Sequence, residues 1–315
     1  MTHSVVARAP GKINCYFKVG PPRADGYHSV ASLYMAVSLY EDVSATARTD
    51  QEIRVSLHPD STAVADPESF PLGPDNLVVK AATMLREHTG HYAGVDLCIT
   101  KRVPIAGGMG GGSADAAATL VACNALWGTG LTREELSRLG ARLGADVPFA
   151  MHGGAAVGLG VGDELAPLLL RTRTDWVLVP ASYGLSTPRV YGMLDRLRAH
   201  EEVSTPTEVD PAMIGALLNG DLEALAPLLV NDMTRAALAL APELGVVRDL
   251  GEAAGALHAL VSGSGPTLAL LTRGQEHSAH IITQLSDEAG VATLSAHGPV
   301  PGASILPAPI NSPQL

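Results

Sequence analysis

The densest chemical signal in the chain is PIAGGMGGGSADAAA at residues 104–118, where five of the six residues from 107 to 112 are glycine. Glycine loses more conformational freedom on ordering than any other residue, so such a run has to be explained by what it comes close to. Consecutive backbone N–H groups leading into a helix N-terminus can wrap phosphate oxygens at short range. A flexible turn is the plainer explanation, and the glycine density argues against it. A Walker A loop ends in Gly-Lys-Ser/Thr, whereas here Gly112 runs into Ser113 with no lysine. A dinucleotide fingerprint needs a third glycine where Ser113 or Ala114 stands. Asp115 falls in the first turn of the helix that should follow. A carboxylate there ordinarily offsets the helix dipole, and beside phosphates it would act only by holding Mg2+, directly or through water.

Other segments gain meaning beside that loop. Ser262-Gly263-Ser264-Gly265-Pro266, between two apolar runs, reads alone as a hairpin turn and becomes a candidate second wall of a nucleotide pocket. Lysine is scarce, with four among 21 basic residues. Lys12, at the start of a strand after Ala9-Pro10-Gly11, is ordinarily a solvated edge charge. Asp146, in Gly144-Ala145-Asp146-Val147-Pro148-Phe149, is ordinarily a turn former. Together they could make a Lys–Asp pair beside a transferring phosphoryl group. Asp25-Gly26-Tyr27-His28 signals a turn into a strand, in a chain with only 4% aromatic residues. Tyr27 could stack on a base and His28 could hydrogen-bond its edge.

The elements that must position these residues follow from periodicity. Residues 13–19, 27–47 and 52–57 read as strands, being aromatic and β-branched or alternating. Residues 76–88 carry apolar positions at helical spacing and stop at Gly90. A strand over 94–100 precedes the glycine loop, and an alanine-rich helix runs from about Ala114 to Trp127. Thr132 with Glu135 is a capping box, opening a helix that Gly144 would end. Strands follow after Gly153 and at 176–181, helices between 188 and 254, a strand–turn–strand over 257–271, then a helix and a strand near Val291. Strands with segregated helices indicate α+β rather than a repeating βαβ ladder. The expected organisation is one unit over 1–170, a second over 171–303 and a proline-containing tail over 304–315.

Composition narrows the class. With 21 basic against 32 acidic residues the net charge is −11, so nucleic acid is not an expected partner. Apolar residues make up 46% and charged residues 17%, which excludes a disordered chain. Cys15, Cys98 and Cys123 form neither a disulfide framework nor a zinc site. The N-terminal MTHSVVARAPGK has no apolar core of a signal peptide, and no run approaches a membrane span. A cytoplasmic chain is expected, with no membrane partner.

In order and spacing, PGKIN at 10–14, PIAGGMGGGSADAA at 104–117 and SGSGPT at 262–267 resemble the three motifs of the GHMP kinase superfamily, in register from about residue 9 to 303. Homoserine and mevalonate kinases usually carry G-L-G-S-S-A in the central loop. Gly110-Gly111-Gly112-Ser113, with D-G-Y-H and G-A-D-V-P-F, is similar instead to the branch acting on a cytidyl-diphosphate sugar alcohol in non-mevalonate isoprenoid synthesis. The resemblance implies an N-terminal domain like ribosomal protein S5 domain 2, a ferredoxin-like C-terminal domain, and Mg2+-dependent transfer of the ATP γ-phosphoryl group to a 2-hydroxyl. It implies that Gly107, Gly108, Met109, Gly110, Gly111, Gly112 and Ser113 hold the ATP phosphates, that Pro104 and Ala114 also contact the nucleotide, and that Asn76, Leu77 and Lys101 border the adenine. Asp146 would take the hydroxyl proton, and Lys12 would hold Asp146 ionised and stabilise the incoming oxygen. Asn14 would bind the sugar alcohol; Tyr27, His28 and Tyr191 would receive the cytosine; Gly263, Ser264 and Gly265 would close the substrate side. A homoserine kinase or diphosphomevalonate decarboxylase has no use for Tyr27, His28 and Tyr191, and a noncatalytic nucleotide sensor need not keep both Lys12 and Asp146.

Overall fold

A computed structural model describes residues 3–307. β1 (Ser4–Pro22) and β2 (His28–Ala47) form a long antiparallel ribbon, paired from Ser4 with Thr46 to Pro22 with His28. Its register shifts between Pro10 and Gly11 and again between Asn14 and Tyr16. Such bulges bend a strand and re-aim its side chains, and Pro10, with no N–H to give the ladder, suits the first of them. Lys12 and Asn14 lie between the two irregularities.

The first lobe continues with β3 (Ile53–Leu57), α1 (Leu77–Thr89), β4 (Val95–Thr100), α2 (Gly111–Trp127), α3 (Arg133–Ala141), α4 (Asp146–His152), β5 (Ala155–Leu159) and β6 (Glu164–Leu168). Its sheet runs β1-β2-β4-β3, while β5 pairs with β2 and carries β6. α2 packs on β1, β2, α1 and α4. Ala114, Ala116, Ala117, Ala118, Leu120 and Ala122 of α2 are all buried, as in a helix apolar on every side.

The second lobe holds β7 (Thr174–Val179), α5 (Thr187–Leu197), α6 (Pro211–Asn219), α7 (Leu222–Leu225), β8 (Val230–Asn231), α8 (Thr234–Leu240), α9 (Glu243–Ala253), β9 (His258–Val261), β10 (Leu268–Thr272), α10 (Gln275–Ala289), β11 (Leu294–Gly298) and β12 (Ser304–Ile305). Its antiparallel sheet has the order β11-β7-β10-β9, with helices in both crossovers, which is the ferredoxin-like arrangement. Trp176 and Leu178 share one apolar cluster with Ile13, Leu33 and Met35, so the lobes meet through a common core. Two late segments return to β1: Val230 pairs with Tyr16, and Ile305 with Ala7.

The α+β class is as the sequence indicates, with local differences; β1 starts at Ser4 rather than near residue 13, so Lys12 lies inside it. α2 begins three residues earlier than its first alanine, because Gly110 adopts a left-handed conformation (φ 70°) and caps it. The helix opened at Thr132 closes at Ala141, and α4 follows as a separate turn of helix starting at Asp146. Pro148 disguises α4 in the sequence, yet it stands in a first turn where no hydrogen bond is lost. In the expected tail, Ser304–Ile305 is a strand on β1; residues 308–315 lie outside the described residues.

Candidate active site

A cleft of about 530 Å³ opens where the N-terminus of α2 meets β1 and the second lobe. The glycine loop forms its floor. Gly111, Gly112 and Ser113 are the first residues of α2, so their N–H groups have no acceptor within the helix, and no side chain caps them. Gly111 and Gly112 line the cleft, where these donors and the positive end of the helix dipole favour an anion. Ala114 offers no free donor: its N–H donates to Gly110 O at 2.9 Å, and its methyl is fully buried. Gly107 N–H is likewise engaged, by Pro104 O, although both residues line the cleft. Met109 buries its side chain in the core and accepts from Lys12 N–H at 2.9 Å, tying the loop to β1.

The second glycine loop packs directly on the first. Ser262 Oγ donates to Gly108 O at 3.1 Å, and Thr267 N–H to Gly107 O at 3.3 Å. Gly108 has φ 75°, and a Cβ there would run into Ser262 O and Gly265 N. Gly263 and Ser264 line the cleft, and a Cβ on Gly263 would stand 3.2 Å from Lys12 Nζ. Gly265 lies behind them, its N–H donating to Ser262 O at 2.8 Å. Asn231 fastens this loop from beneath. Its Nδ2 donates to Val261 O and Gly263 O at 2.6 and 2.7 Å, while its Oδ1 accepts from Met233 N–H at 2.8 Å. No motif in the sequence marked Asn231, because its role depends on a pairing across the fold.

Lys12 and Asp146 face each other across the cleft, with Lys12 Nζ 3.9 Å from Asp146 Oδ2. Burial pushes the Lys12 ammonium below its ordinary pKa, and the Asp146 charge opposes that shift. Lys12 Nζ also donates to Asn14 Oδ1 at 2.7 Å, and Asn14 Nδ2 donates to Ser32 Oγ at 2.7 Å. Ser32 Oγ in turn donates to Tyr16 O at 3.0 Å, so this buried chain orients the Asn14 amide and aims Lys12.

At the other end, Asn76 and Leu77 line the cleft together with Phe70 and Pro71. The Asn76 side chain already caps α1, accepting from Val78 N–H at 2.9 Å and donating to Pro71 O at 2.7 Å. Lys101 also borders the cleft, but its ammonium is held in a buried triad. Nζ contacts Glu41 Oε1 at 2.5 Å and Asp115 Oδ2 at 2.6 Å. Burial works against the Lys101 charge, and the two carboxylates overcome it, leaving the ammonium above its ordinary pKa. Burial, and then the Asp115 charge, lift Glu41 to about 8; burial likewise raises Asp115. Asp115 therefore answers Lys101 rather than open space at the helix end. Glu41, inside a strand of ordinary pattern, gave no sequence signal.

Tyr191 lines the cleft from α5, and its ring centroid lies 4.8 Å from that of His28, tilted by 31°. His28 Nε2 is 2.9 Å from Asp195 Oδ1, one turn further along α5. Tyr27 stands apart from the cleft wall, 65% exposed beside the turn between β1 and β2.

Comparison with known proteins adds to this geometry. Residues 76–154 match the GHMP kinases N terminal domain and residues 213–292 the GHMP kinases C terminal. A 4-diphosphocytidyl-2-C-methyl-D-erythritol kinase from Arthrobacter sp. (strain FB24) is 56% identical over 305 residues, covering 96% of this chain and 95% of that one. The chain belongs to the GHMP kinases, in the branch of the 4-diphosphocytidyl-2-C-methyl-D-erythritol kinases. A second member of that name, from Mycolicibacterium smegmatis, is 45% identical to this kinase over 313 residues, covering 99% of this chain and 95% of that one. A crystal structure of 4-(cytidine 5'-diphospho)-2C-methyl-D-erythritol kinase superposes on it with TM-score 0.75 at 29% identity, covering 94% of this chain and 98% of that one. A mevalonate kinase of L. major shares the fold at TM-score 0.74 and 17% identity, covering 94% and 96%.

Proposed function

We propose that this kinase transfers the γ-phosphoryl group of ATP to the 2-hydroxyl of 4-diphosphocytidyl-2-C-methyl-D-erythritol, in the non-mevalonate route to isoprenoids. The observation that carries the reading is the Lys12–Asp146 pair, 3.9 Å apart, in the same cleft as the free N–H groups at the start of α2. Acceptor oxygen and γ-phosphorus bond as the β–γ bridge breaks, ADP leaves with the bridging oxygen, and the hydroxyl proton passes to the Asp146 carboxylate. Such transfer is loose, so the proton departs late and alignment matters more than the basicity of the acceptor. Lys12, aimed by Asn14, stabilises charge on the incoming oxygen. The cradle of Gly111, Gly112 and Ser113 N–H groups holds phosphate oxygens without a Walker lysine. Mg2+ bound with the nucleotide would neutralise charge on the triphosphate oxygens. Tyr191 offers a face to the cytosine, with His28 beside it and exposed Tyr27 free to fold over. A reaction fed by ATP belongs in the cytoplasm.

The test is ADP release with Mg-ATP and a panel of acceptors: diphosphocytidyl methylerythritol, homoserine, mevalonate and galactose. Turnover on the cytidyl acceptor alone, lost by at least a hundredfold in Asp146→Ala with ATP binding retained, is the expected result. Turnover on homoserine or mevalonate instead would keep the fold and overturn the substrate. ATP binding with no turnover on any acceptor would replace the enzyme by a nucleotide sensor.

A further inference from the structure

Three charged side chains lie buried beneath the phosphate-binding loop, and nothing in the transfer step described above uses them. Glu41 on β2 is fully buried, Lys101 is 3% exposed and Asp115 5% exposed. Replacing buried ion pairs by well-packed apolar residues is often neutral or stabilising, so stability alone is a weak reason for three charges here. What distinguishes the triad is where its members sit on the chain. Lys101 is at the entrance of the glycine loop, just after β4, and Asp115 is at its exit, in the first turn of α2. Lys101 Nζ joins the two ends through Asp115, and it is held there by Glu41. Glu41 Oε2 accepts from Arg102 N–H at 2.9 Å, and its Oε1 accepts from Val103 N–H at 3.3 Å and from Lys101 Nζ at 2.5 Å. A Cβ on Gly111 would stand 3.0 Å from the same Oε1, so the carboxylate backs directly onto the cradle.

The geometry points to Glu41 as a positioning residue for the ATP phosphates, acting through Lys101 and the Arg102–Val103 backbone on both ends of the glycine loop. The inference rests on the kinase reading above, since it needs a nucleotide in the cradle. Two further observations support it. Burial, and then the Asp115 charge, push the Glu41 carboxyl up to about 8, which limits the negative charge the triad places under bound phosphates. Asp115 Oδ1 is buried with no hydrogen-bond partner among the described residues, so its other oxygen, on Lys101 Nζ, is its one polar anchor.

The test separates nucleotide positioning from simple support of the fold. ADP binding to Glu41→Ala and Glu41→Gln is measured by calorimetry without any acceptor, alongside KM for ATP, KM for the cytidyl acceptor, kcat and melting temperature. Glu41→Ala should weaken ADP binding and raise KM for ATP at least tenfold, with KM for the acceptor unchanged. Glu41→Gln keeps one carbonyl oxygen, able to accept from Arg102 N–H or from Val103 N–H and Lys101 Nζ but not from both sides, and should recover part of that loss. Lowered melting temperature with ADP affinity and KM for ATP unchanged in a folded Glu41→Ala would overturn the inference. If Glu41→Ala does not fold, Glu41→Gln and Asp115→Asn decide. A two- to tenfold rise in KM for ATP, confined to the nucleotide, sustains the inference; no change in either overturns it. Wild-type protein that binds no adenine nucleotide would instead sink the kinase reading.

Discussion

Asn231→Ala is the sharpest check on how the cleft is held. The side chain is 6% exposed and makes three hydrogen bonds of 2.6–2.8 Å, two as donor to Val261 O and Gly263 O and one as acceptor from Met233 N–H. Each is worth about 1 kcal/mol net, and each partner left unpaired in the interior adds a desolvation cost of roughly 1 kcal/mol or more. Solvent entering the gap would recover part of this, so a total of about 3–5 kcal/mol is expected. For a chain of this size that lowers the melting temperature by roughly 5–8 °C, read by differential scanning calorimetry. The same substitution frees Gly263, which backs onto Lys12, so kcat should fall about tenfold or more. Asn231→Asp tests the donor count specifically, because a carboxylate keeps the Met233 bond but faces two carbonyls with no hydrogen to give. It should be no better than alanine. A melting temperature within 2 °C of wild type for both variants would refute the claim that Asn231 fastens the loop.

Further outcomes are expected. Lys101→Met strands Asp115 and Glu41, and Asp115 must then be protonated against an ordinary value of 3.8, costing about 4 kcal/mol at pH 7 and about 2 kcal/mol at pH 5. A carboxyl raised in the folded state gives stability at low pH and loses it as pH rises, so the deficit against wild type should shrink on acidification; chemical denaturation at the two pH values checks this. Gly108→Ala puts a methyl into Ser262 O at a left-handed position and should separate the two glycine loops, raising KM for ATP at least tenfold in steady-state assays. Tyr191→Ala should raise KM for the cytidyl acceptor about tenfold, the usual worth of one base–aromatic stack, with ADP affinity by calorimetry unchanged.

Much of the site was legible because its parts are local in sequence. A glycine run before an alanine-rich helix can be read directly as a cradle, and the Thr132–Glu135 capping box is present as the spacing requires. Gly90 ends α1 in a left-handed conformation, as its place after the last apolar position suggests. What escaped were relations between distant strands. Glu41 lies 60 residues from Lys101, and its meaning appears only when β2 and the end of β4 are side by side. Asn231 is likewise 32 residues from the Gly263 carbonyl it holds. Asn14 was readable as a polar residue in the first motif, but that its amide aims Lys12 depends on Ser32 across the ribbon. α4 was hidden for a different reason: a proline in the first turn of a helix looks the same in sequence as one that ends it.

The return of Val230 and Ile305 to β1 bears on how the chain is made. β1 is made long before one of its neighbours, Ser304–Ile305. Synthesis can complete the ribbon once β2 is made, but the outer edge beside Ala7 and Arg8 stays open until Ser304–Ile305 has followed. The nascent first lobe therefore carries an unpaired strand edge that a segment made after the second lobe's sheet must close, and a truncation just before residue 304 would leave that edge available for pairing between molecules.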